Sequence, residues 1–426
     1  MTKRYFSKRS RPGNPLLRPA LALLLLLACA ALGIFYFKGR ATLPAWTAPA
    51  ASESAQVLED GKKLTAEGKW EEAGALIEAA LQRMDAADPL RFDLLALAAE
   101  TDFQRGRTAE SIARYQELQQ LFPGHPAQPA MALQLAHVLL ASGQREEGLA
   151  RLNTLRETAP PDTRAGVLLE LARDAVSQNK RIEARDMLRA ALKDAPEGSA
   201  TWNGAIDLFG EANVALVFSA EETPESKFYA VEKGDSLTRI GIKLNTTQGL
   251  LLRANGLTEE STLNVGQRLK YTPKDFKIII ERSTCLLYLV DNDGLFKRYH
   301  TGLGMPGYET TLGAYHIGNK EKDPTWFKPG SGPVPPNDPA NELGTRWMPL
   351  IPMEAGLPTD LGIHGTIAPE TIGQYMSHGC PRLRREDVEE LYDLVVRSTP
   401  VEIAGALTED HKRLIRGLPQ PAPAAE

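Results

Sequence analysis

The amino-acid sequence predicts a multidomain protein with an N-terminal transmembrane helix, an all-α helical repeat solenoid, a small strand–helix–helix–strand domain and a mostly β domain. Three observations predict this order. Residues 19–37 are uncharged, a helical pattern recurs every 36 to 38 residues further on, and short apolar strand-like runs begin at Phe276. A chain of 426 residues has room for about two to four domains.

Composition narrows the possible functions. The formal net charge is −5, and no basic run interleaves with aromatic residues in the body of the chain, so we expect no nucleic-acid binding. The cysteines Cys29, Cys285 and Cys380 are too few for a disulfide framework. None of them belongs to a CxxC pair, so a structural zinc site has little support.

The N-terminus has the charge pattern of a membrane anchor. Residues 1–18 form a basic tail without acidic residues, and the uncharged run 19–37 follows. Nineteen helical residues rise ~28 Å, about the thickness of a bilayer core. The run ends in the aromatic residues 35–37, where the interface would lie. Because positive charge stays inside, we expect a single-pass protein of the cell membrane, with the tail in the cytoplasm and the body in the periplasm or otherwise outside.

Other interpretations of residues 19–37 stay open. A cleavable signal peptide usually has a shorter apolar core of about 7–15 residues that ends in small residues, but bulky aromatics and Lys38 follow here. The sequence LLAC at 26–29 loosely resembles a lipoprotein signal, although the apolar run continues beyond it. A buried helix of a soluble domain is a further alternative. Residues 39–54, rich in Ala, Pro and Ser, are predicted to be a flexible linker.

Residues 55–215 repeat one helical pattern. Small residues recur 36 to 38 positions apart, at Ala73, Ser111, Gly148 and Ala184. Prolines recur with nearly the same step, at Pro123, Pro160 and Pro196. A period of this size with paired helices marks a solenoid, in which the small residue lets two helices approach and the proline ends the second helix. The pattern resembles tetratricopeptide repeats, which implies a protein partner on a concave surface; a plain helical spacer is the alternative.

Residues 228–273 change character. Ser236 follows a short strand and can cap a helix, Thr247 can cap a second helix, and a strand closes the segment. The sequences YAVEKGDSLTRI, LLRANGL and LNVGQRLKY, in this order, resemble a LysM domain over its whole length. That family binds glycans that contain N-acetylglucosamine, so the resemblance implies peptidoglycan as a partner. A small α+β linker domain is the alternative.

From Phe276 the sequence favours strands. An Asp293–Gly294 pair between apolar runs predicts a hairpin. Residues 322–347 are rich in Pro and Gly, and a loop of this length in a compact domain is usually a lid or a binding loop. A glycine, a cysteine and a proline then follow one another at 379–381.

The chemistry of Cys380 alone leaves several roles open. A thiol is a poor nucleophile unless its pKa of about 8.5 falls or a base takes its proton, and a histidine with a pKa near 6.5 can act as that base. Spacing does not choose between His364 and His378. A metal site with His316, His364, His378 and Cys380, a disulfide between Cys285 and Cys380, and an inert buried thiol are the alternatives.

A longer signature surrounds the cysteine. It reads IHGT, then IG, then SHGCPRL and EDVEELYDLV, with YHTGLGMPGYETTLGAYHIGNKEKDPTW and LGTRWMPL upstream. This signature resembles the L,D-transpeptidases, the YkuD-like catalytic domain, over about residues 276–404. The resemblance implies a mostly β catalytic domain with the thiol at the end of a groove. One departure is Pro381, where the family more often has Ile or Val.

The resemblance also implies roles for single residues. Cys380 would be the nucleophile and His364 its base. The carbonyl of Gly365 would orient the imidazole, and the N–H groups of Gly379 and Cys380 would form the oxyanion hole. Two further residues would shape the site and hold the donor peptide: His378 and Arg382.

These resemblances together imply a membrane-anchored, wall-bound peptidoglycan L,D-transpeptidase. It would form 3→3 cross-links through a Cys380 thioester and need no metal or organic cofactor. With water as acceptor the enzyme would be an L,D-carboxypeptidase, and with a protein lysine it would link a protein to peptidoglycan. The non-enzymatic alternative is a wall-binding scaffold. Residues 405–426 are predicted to be a C-terminal tail.

Overall fold

A computed structural model describes residues 53–328, 330 and 332–418. The predicted anchor at 19–37 and its basic tail lie outside the described residues. Within the described part, no helix is both long and apolar enough to cross a membrane. The chain divides into two compact units, one that ends at Leu94 and one that begins at Leu95.

Helices of similar length make up the repeat region. The first unit contains α1 (Glu53–Ala66) and α2 (Trp70–Arg83), and α3 (Arg91–Gln104) contains the boundary. The second unit continues with α4 (Thr108–Leu121), α5 (Gln128–Ala141), α6 (Arg145–Thr158), α7 (Pro161–Ser177), α8 (Arg181–Asp194) and α9 (Ala200–Val217). Helix α1 begins inside the predicted linker 39–54, because Glu53 and Ser54 already belong to its first turn.

The recurring small residues lie where helices meet. Gly148 on α6 faces α5 so closely that a Cβ atom there would lie 2.9 Å from the side chain of Leu140. Ser111 and Ala184 are fully buried on the equivalent helices. The turn before α6 needs Gly143 at φ +82°, a conformation that L-residues rarely adopt. The prediction of a helical repeat region is confirmed.

The next segment folds as strand, two helices and strand. Strand β1 (Lys227–Ala230) pairs antiparallel with β2 (Arg268–Tyr271), and between them lie α10 (Leu237–Lys243) and α11 (Gln248–Ala254). The side chains of Ser236 and Thr247 cap the two helices, because each accepts a hydrogen bond from a backbone N–H three residues later.

The C-terminal region is mostly β, as predicted. Its strands are β3 (Lys277–Glu281), β4 (Leu286–Asp291), β5 (Gly294–His300), β6 (Leu303–Gly304), β7 (Gly313–Ile317), β8 (Glu321–Lys322), β9 (Trp326–Phe327), β10 (Pro333–Val334), β11 (Arg346–Pro352), β12 (Gly362–His364), β13 (Tyr375–Ser377) and β14 (Pro400–Ala404). The main sheet has the order β12-β11-β7-β14-β3-β4-β5, and β8 also pairs with β11. Helix α12 (Arg385–Leu394) covers one face and buries Val388 and Leu391.

Two local predictions meet different outcomes. The hairpin at Asp293–Gly294 is present and joins β4 to β5. The predicted tail 405–426 is wrong over its first half, because it contains helix α13 (Glu409–Ile415). Thr408 and His411 form a capping box at its start, and Ile415 is buried. A helix of seven residues is too short to show periodicity, so packing rather than sequence pattern stabilises it.

Side-chain contacts connect the last repeat helix, the small domain and the β domain. The amide of Asn213 on α9 donates to the carbonyl of Phe296 at 2.8 Å. The ammonium of Lys270 on β2, which is almost fully buried, donates to the carbonyl of Leu216 at 2.9 Å. The hydroxyl of Thr247 donates to the carbonyl of Asp393 on α12. The three elements are therefore packed together rather than joined by free linkers.

Candidate active site

Cys380 lies in the turn that follows β13. Its thiol is partly buried against the core of the β domain, and Sγ lies 3.9 Å from the carbonyl oxygen of Asp360. Gly379 precedes it with φ +115°, a backbone conformation that is open to glycine and rarely adopted by other residues. The glycine of the signature is therefore a requirement of the turn that presents the thiol.

Two buried hydroxyl groups hold Gly379. Its N–H donates to Oγ of Ser377 at 3.2 Å, and its carbonyl accepts a hydrogen bond from Oγ1 of Thr310 at 2.7 Å. Thr310 Oγ1 also accepts from the N–H of Gly304 at 3.0 Å. Both hydroxyl side chains are almost completely buried, so water does not compete for these bonds. Neither residue can be identified as a site residue from the sequence, because neither hydroxyl has the chemistry of a catalytic group.

Of the two N–H groups that are predicted to form the oxyanion hole, one is already hydrogen-bonded in this conformation. The N–H of Gly379 is engaged by Ser377, whereas the N–H of Cys380 has no protein acceptor among the described residues. Pro381 has no N–H, so it offers no donor. Cys380 N–H is thus the available donor, and Gly379 N–H must turn from Ser377 or share its hydrogen with a bound oxyanion.

The backbone places His364 beside the cysteine turn. The N–H of His364 donates to the carbonyl of Pro381 at 3.2 Å, and its carbonyl accepts from Leu383 N–H at 2.9 Å. The imidazole is buried and packs against the indole of Trp347, with ring centroids 5.7 Å apart. In β-sheet register Trp347 lies directly opposite His364. The predicted base and nucleophile therefore lie on adjoining segments.

Burial decides the protonation state of the histidine. Desolvation, and secondly the charge of Arg382, lower the pKa of His364 to about 4. The carbonyl of Gly365 acts in the opposite direction and raises this pKa slightly. No acceptor or donor in the described chain meets the geometric limits of a hydrogen bond at His364 Nδ1, so the orienting role of Gly365 stays a prediction. At neutral pH the imidazole is uncharged and can accept a proton.

The thiol is also protonated in the resting site. Burial raises the pKa of Cys380, and this outweighs the lowering by the nearby N–H of Gly362 and by the charge of Arg382. The site therefore contains a neutral thiol and a neutral imidazole rather than a thiolate–imidazolium pair. Proton transfer must accompany attack on a substrate instead of preceding it.

The backbone of Arg382 is fixed by hydrogen bonds, and its guanidinium has N–H groups that are not fully hydrogen-bonded. Its N–H and carbonyl exchange hydrogen bonds of 2.8 Å with Gly302. Its guanidinium reaches Glu342 at only 3.5 Å, and the buried Nε has no acceptor among the residues that the structure describes. A carboxylate or carbonyl of a ligand could accept hydrogen bonds from these donors; the role of Arg382 in holding substrate stays a prediction.

His378 has a different environment. It is exposed, and its ring meets the ring of Tyr308 edge to face at 5.2 Å. Among the two candidate bases, only His364 is buried and bonded to the cysteine turn. The described geometry favours His364 as the base and puts His378 on the rim, where the resemblance places a shaping role; both roles stay predictions.

The Pro- and Gly-rich loop 322–347 covers the side of the site next to His364. Asn341 is buried and its amide donates to the carbonyls of Pro324 at 2.9 Å and Pro335 at 3.1 Å, which fixes the loop on itself. The N–H of Gly365 donates to the carbonyl of Leu343 at 3.0 Å. Between loop and strand lies a pocket of about 600 Å³ that is lined in part by Gly365. The described residues around Asn341 and Leu343 thus form one side of the site.

The alternative roles of the cysteine fit this geometry less well. Cys285 and Cys380 are separate free thiols. In the described ranges no three side chains of His, Cys, Asp or Glu gather as metal ligands, and His316 pairs within the sheet through β7.

Family models match three parts of the chain. The L,D-transpeptidase catalytic domain model, YkuD, matches residues 275–403. The LysM domain model matches 229–272, and a tetratricopeptide repeat model matches 102–171. A Bacillus subtilis protein, YkuD, assigned as an L,D-transpeptidase, is 30% identical over 182 residues, which cover 41% of this chain and 97% of that protein. The chain belongs to the L,D-transpeptidase family.

Other relatives agree with this assignment. The corresponding YkuD protein of Bacillus licheniformis is 28% identical over 181 residues, 41% of this chain and 97% of the relative. An L,D-transpeptidase structure from Mycobacterium smegmatis has 13% identity and a TM-score of 0.26, covering 33% of this chain and 64% of that one. This superposition is weak and spans less than two thirds of the solved chain, so the L,D-transpeptidase assignment depends on the sequence relatives.

Proposed function

We propose that this L,D-transpeptidase cross-links peptidoglycan stem peptides through a Cys380 thioester. One observation carries the proposal: the backbone bond from His364 to Pro381 holds a buried, uncharged imidazole next to the thiol turn. A neutral imidazole beside a neutral thiol can act as a general base: it accepts the thiol proton while the sulfur attacks a carbonyl.

The proposed reaction begins with the carbonyl of the third stem residue at Cys380. Sγ attacks the carbonyl carbon while the thiol proton passes to His364, and the oxyanion forms near the N–H of Cys380. The bond to the terminal D-alanine breaks, and the imidazolium returns its proton to the leaving amine. The product is a thioester between Cys380 and the shortened stem.

An amine of a neighbouring stem then resolves the thioester. It attacks the acyl carbon, gives its proton to His364, and the proton returns to the sulfur as the C–S bond breaks. The new amide joins two third-position residues, which is a 3→3 cross-link. Water as acceptor would give an L,D-carboxypeptidase, and a protein lysine would give a protein–peptidoglycan link.

The remaining parts of the chain would place this reaction at the cell wall. The LysM domain would bind peptidoglycan glycan strands, and residues 19–37 would anchor the chain in the membrane with its body exported. The helical repeats would bind a protein partner or hold the enzyme away from the membrane. The charge asymmetry around 19–37 motivates the export proposal, and a reporter fused after Glu426 tests it: activity in the cytoplasm would exclude it.

Product analysis tests the proposed reaction. Purified full-length protein is incubated with cell wall rich in tetrapeptide stems, and the muropeptides are separated and weighed by mass spectrometry. We expect 3→3 dimers and free D-alanine with the native protein and neither with Cys380→Ala. Tripeptide monomers without dimers would identify water as the acceptor, and unchanged muropeptides would exclude the enzymatic proposal in favour of a scaffold.

A further inference from the structure

A groove of about 990 Å³ separates the LysM domain from the β domain. On the LysM side it is lined by helix α11 and the turn before it, and on the other side by strand β8, Arg346 and the end of α12. Asp393 closes one end: Arg253 reaches its carboxylate at 2.8 Å, and Gly249 lies so close to it that a Cβ atom would overlap. These contacts connect the LysM side of the groove to helix α12.

The charges that line this groove are unbalanced. Its basic residues are Arg253, Lys320, Lys322, Arg346 and Arg397. Its acidic residues are Glu259 and Asp393. The chain as a whole carries a formal net charge of −5, so a concentration of positive charge in one groove is a local feature. Positive potential in a groove with protein walls attracts anionic ligands.

Two of these cations, Lys320 and Arg346, meet at the ring of Tyr392, and within the described residues neither has a carboxylate closer than 3.9 Å. The ammonium of Lys320 lies 4.1 Å from the ring centre of Tyr392, and the guanidinium of Arg346 lies 5.2 Å from it. Within the described residues Lys320 donates to two carbonyls, of Tyr392 and Val395, at 2.5 and 2.6 Å. In the part of the chain that the structure describes, the nearest carboxylate to Arg346 is Asp323 at 3.9 Å, and the buried Nε of Arg346 has no acceptor. Two neighbouring cations repel, and an anion would relieve this repulsion.

The mouth of the groove carries cations that a ligand can reach. Lys322 pairs with Glu259 across the opening at 3.0 Å, but both side chains are more than half exposed, so the pair is weak and exchangeable. Arg397 is exposed and has no carboxylate within ion-pair distance in the described chain. An entering carboxylate can replace Glu259 as the partner of Lys322 and use Arg397 as well.

The groove lies away from the thiol. Trp347 is opposite His364 in the sheet, so its side chain is on the same face of the sheet as the imidazole. Arg346 is the adjacent residue on β11, and successive side chains of a strand point to opposite faces. The side chain of Arg346 thus faces away from Cys380 and does not belong to the donor site.

We propose that this groove is a second peptide site, which binds carboxylate groups of a cell-wall stem peptide that is not the one undergoing reaction. The proposal rests on the proposed function, because that function supplies a substrate whose stems carry several carboxylates. A planar guanidinium such as that of Arg346 accepts a carboxylate in a two-pronged arrangement. The site would hold the enzyme on the wall while the donor site turns over.

Binding of a stem that cannot react tests the proposal. The full-length protein with Cys380→Ala is titrated calorimetrically with a disaccharide-tripeptide, which lacks the terminal D-alanine that a donor must lose. We expect Arg346→Gln and the exposed variant Arg397→Glu each to weaken binding about tenfold, and Glu259→Gln to strengthen it. Lys193→Glu on α8, an exposed residue outside the groove, is the matched charge reversal and should leave binding unchanged.

A chemically modified tripeptide provides a second test. A disaccharide-tripeptide with amidated carboxylates should lose the groove-dependent part of the binding. Equal binding by Arg397→Glu, Arg346→Gln and Lys193→Glu would overturn the proposal, as would a groove that binds polyphosphate and not the tripeptide. Turnover of a soluble tetrapeptide donor by Arg397→Glu should stay normal; its loss would make the groove part of the donor site. If the native protein shows no turnover, the proposed reaction is wrong. The calorimetric comparison of the variants still decides whether the groove binds the tripeptide.

Discussion

The backbone N–H of His364 donates to the carbonyl of Pro381 at 3.2 Å, one residue after the cysteine that the histidine is predicted to serve. This bond connects β12 to the thiol turn directly, so the separation of base and nucleophile does not depend on a flexible loop. It also explains why Pro381 is tolerated, since the turn uses the carbonyl of residue 381 and not its N–H.

The low pKa of His364 predicts the acidic limit of activity. Because burial lowers this pKa to about 4, the imidazole stays unprotonated well below pH 6.5. We expect kcat/KM for a tetrapeptide donor to stay level down to about pH 5 and to fall only as pH approaches 4. A fall centred at pH 6.5 or above would contradict His364 as the base.

Removing each histidine separates the two candidate bases. His364→Ala should lower turnover by roughly 10²–10⁴-fold at neutral pH, with partial recovery at alkaline pH where the thiolate forms unaided. Because burial raises the pKa of Cys380, this recovery should need a pH above the ordinary thiol range. His378→Ala should retain most activity. The reverse pattern, with alkaline recovery only in His378→Ala, would contradict the assignment.

Thr310 is predicted to position the turn before the nucleophile. Thr310→Val keeps the shape but removes the hydroxyl that links Gly379 to Gly304, and it leaves two buried backbone groups unpaired. We expect kcat to fall about 10- to 100-fold with little change in KM, and stability to fall by about 1–3 kcal/mol. Thr310→Ser, which restores the hydroxyl, should recover kcat. If Thr310→Ser is as impaired as Thr310→Val, the hydrogen bonds are not the cause.

The ionised side chain of Asp387 on α12 should lower the free energy of unfolding at neutral pH. Desolvation raises its pKa to about 6 from an ordinary 3.8, so the folded state favours the protonated form. The stability contributed by protonation is present below pH 3.8 and is lost as pH rises through 6. Asp387→Asn should therefore be more stable by about 1–2 kcal/mol at pH 7 and unchanged near pH 3, by thermal denaturation. Glu386→Gln, an exposed neighbour, is the control. An equal increase in stability at pH 7 and near pH 3 would show that desolvation of the Asp387 carboxylate is not the cause.

Local sequence signals were sufficient to predict several elements of the fold. The period of 36 to 38 residues gave the repeat helices, Asp293–Gly294 gave its hairpin, and Ser236 and Thr247 gave two helix starts. These features depend on neighbours a few residues apart, or on repetition, which a sequence displays directly.

Features formed by distant residues were not predictable. The bond from Thr310 to Gly379 joins positions 69 residues apart, and no spacing rule points to it. The cation pair at Tyr392 combines the region after β7, strand β11 and helix α12. Helix α13 is stabilised by burying Ile415 against other elements rather than by its own pattern. The protonation states of Cys380 and His364 likewise depend on burial, which only the fold determines.

The most direct test of the cysteine mechanism is the intact mass of the protein after brief incubation with a tetrapeptide donor. We expect the native protein and Cys285→Ala to gain the mass of the donor minus D-alanine, with the adduct on Cys380 after proteolysis. Cys380→Ala should gain no mass while it stays folded and still binds cell wall. An adduct on Cys380→Ala, or turnover by the native protein with the adduct on another residue, would contradict the account.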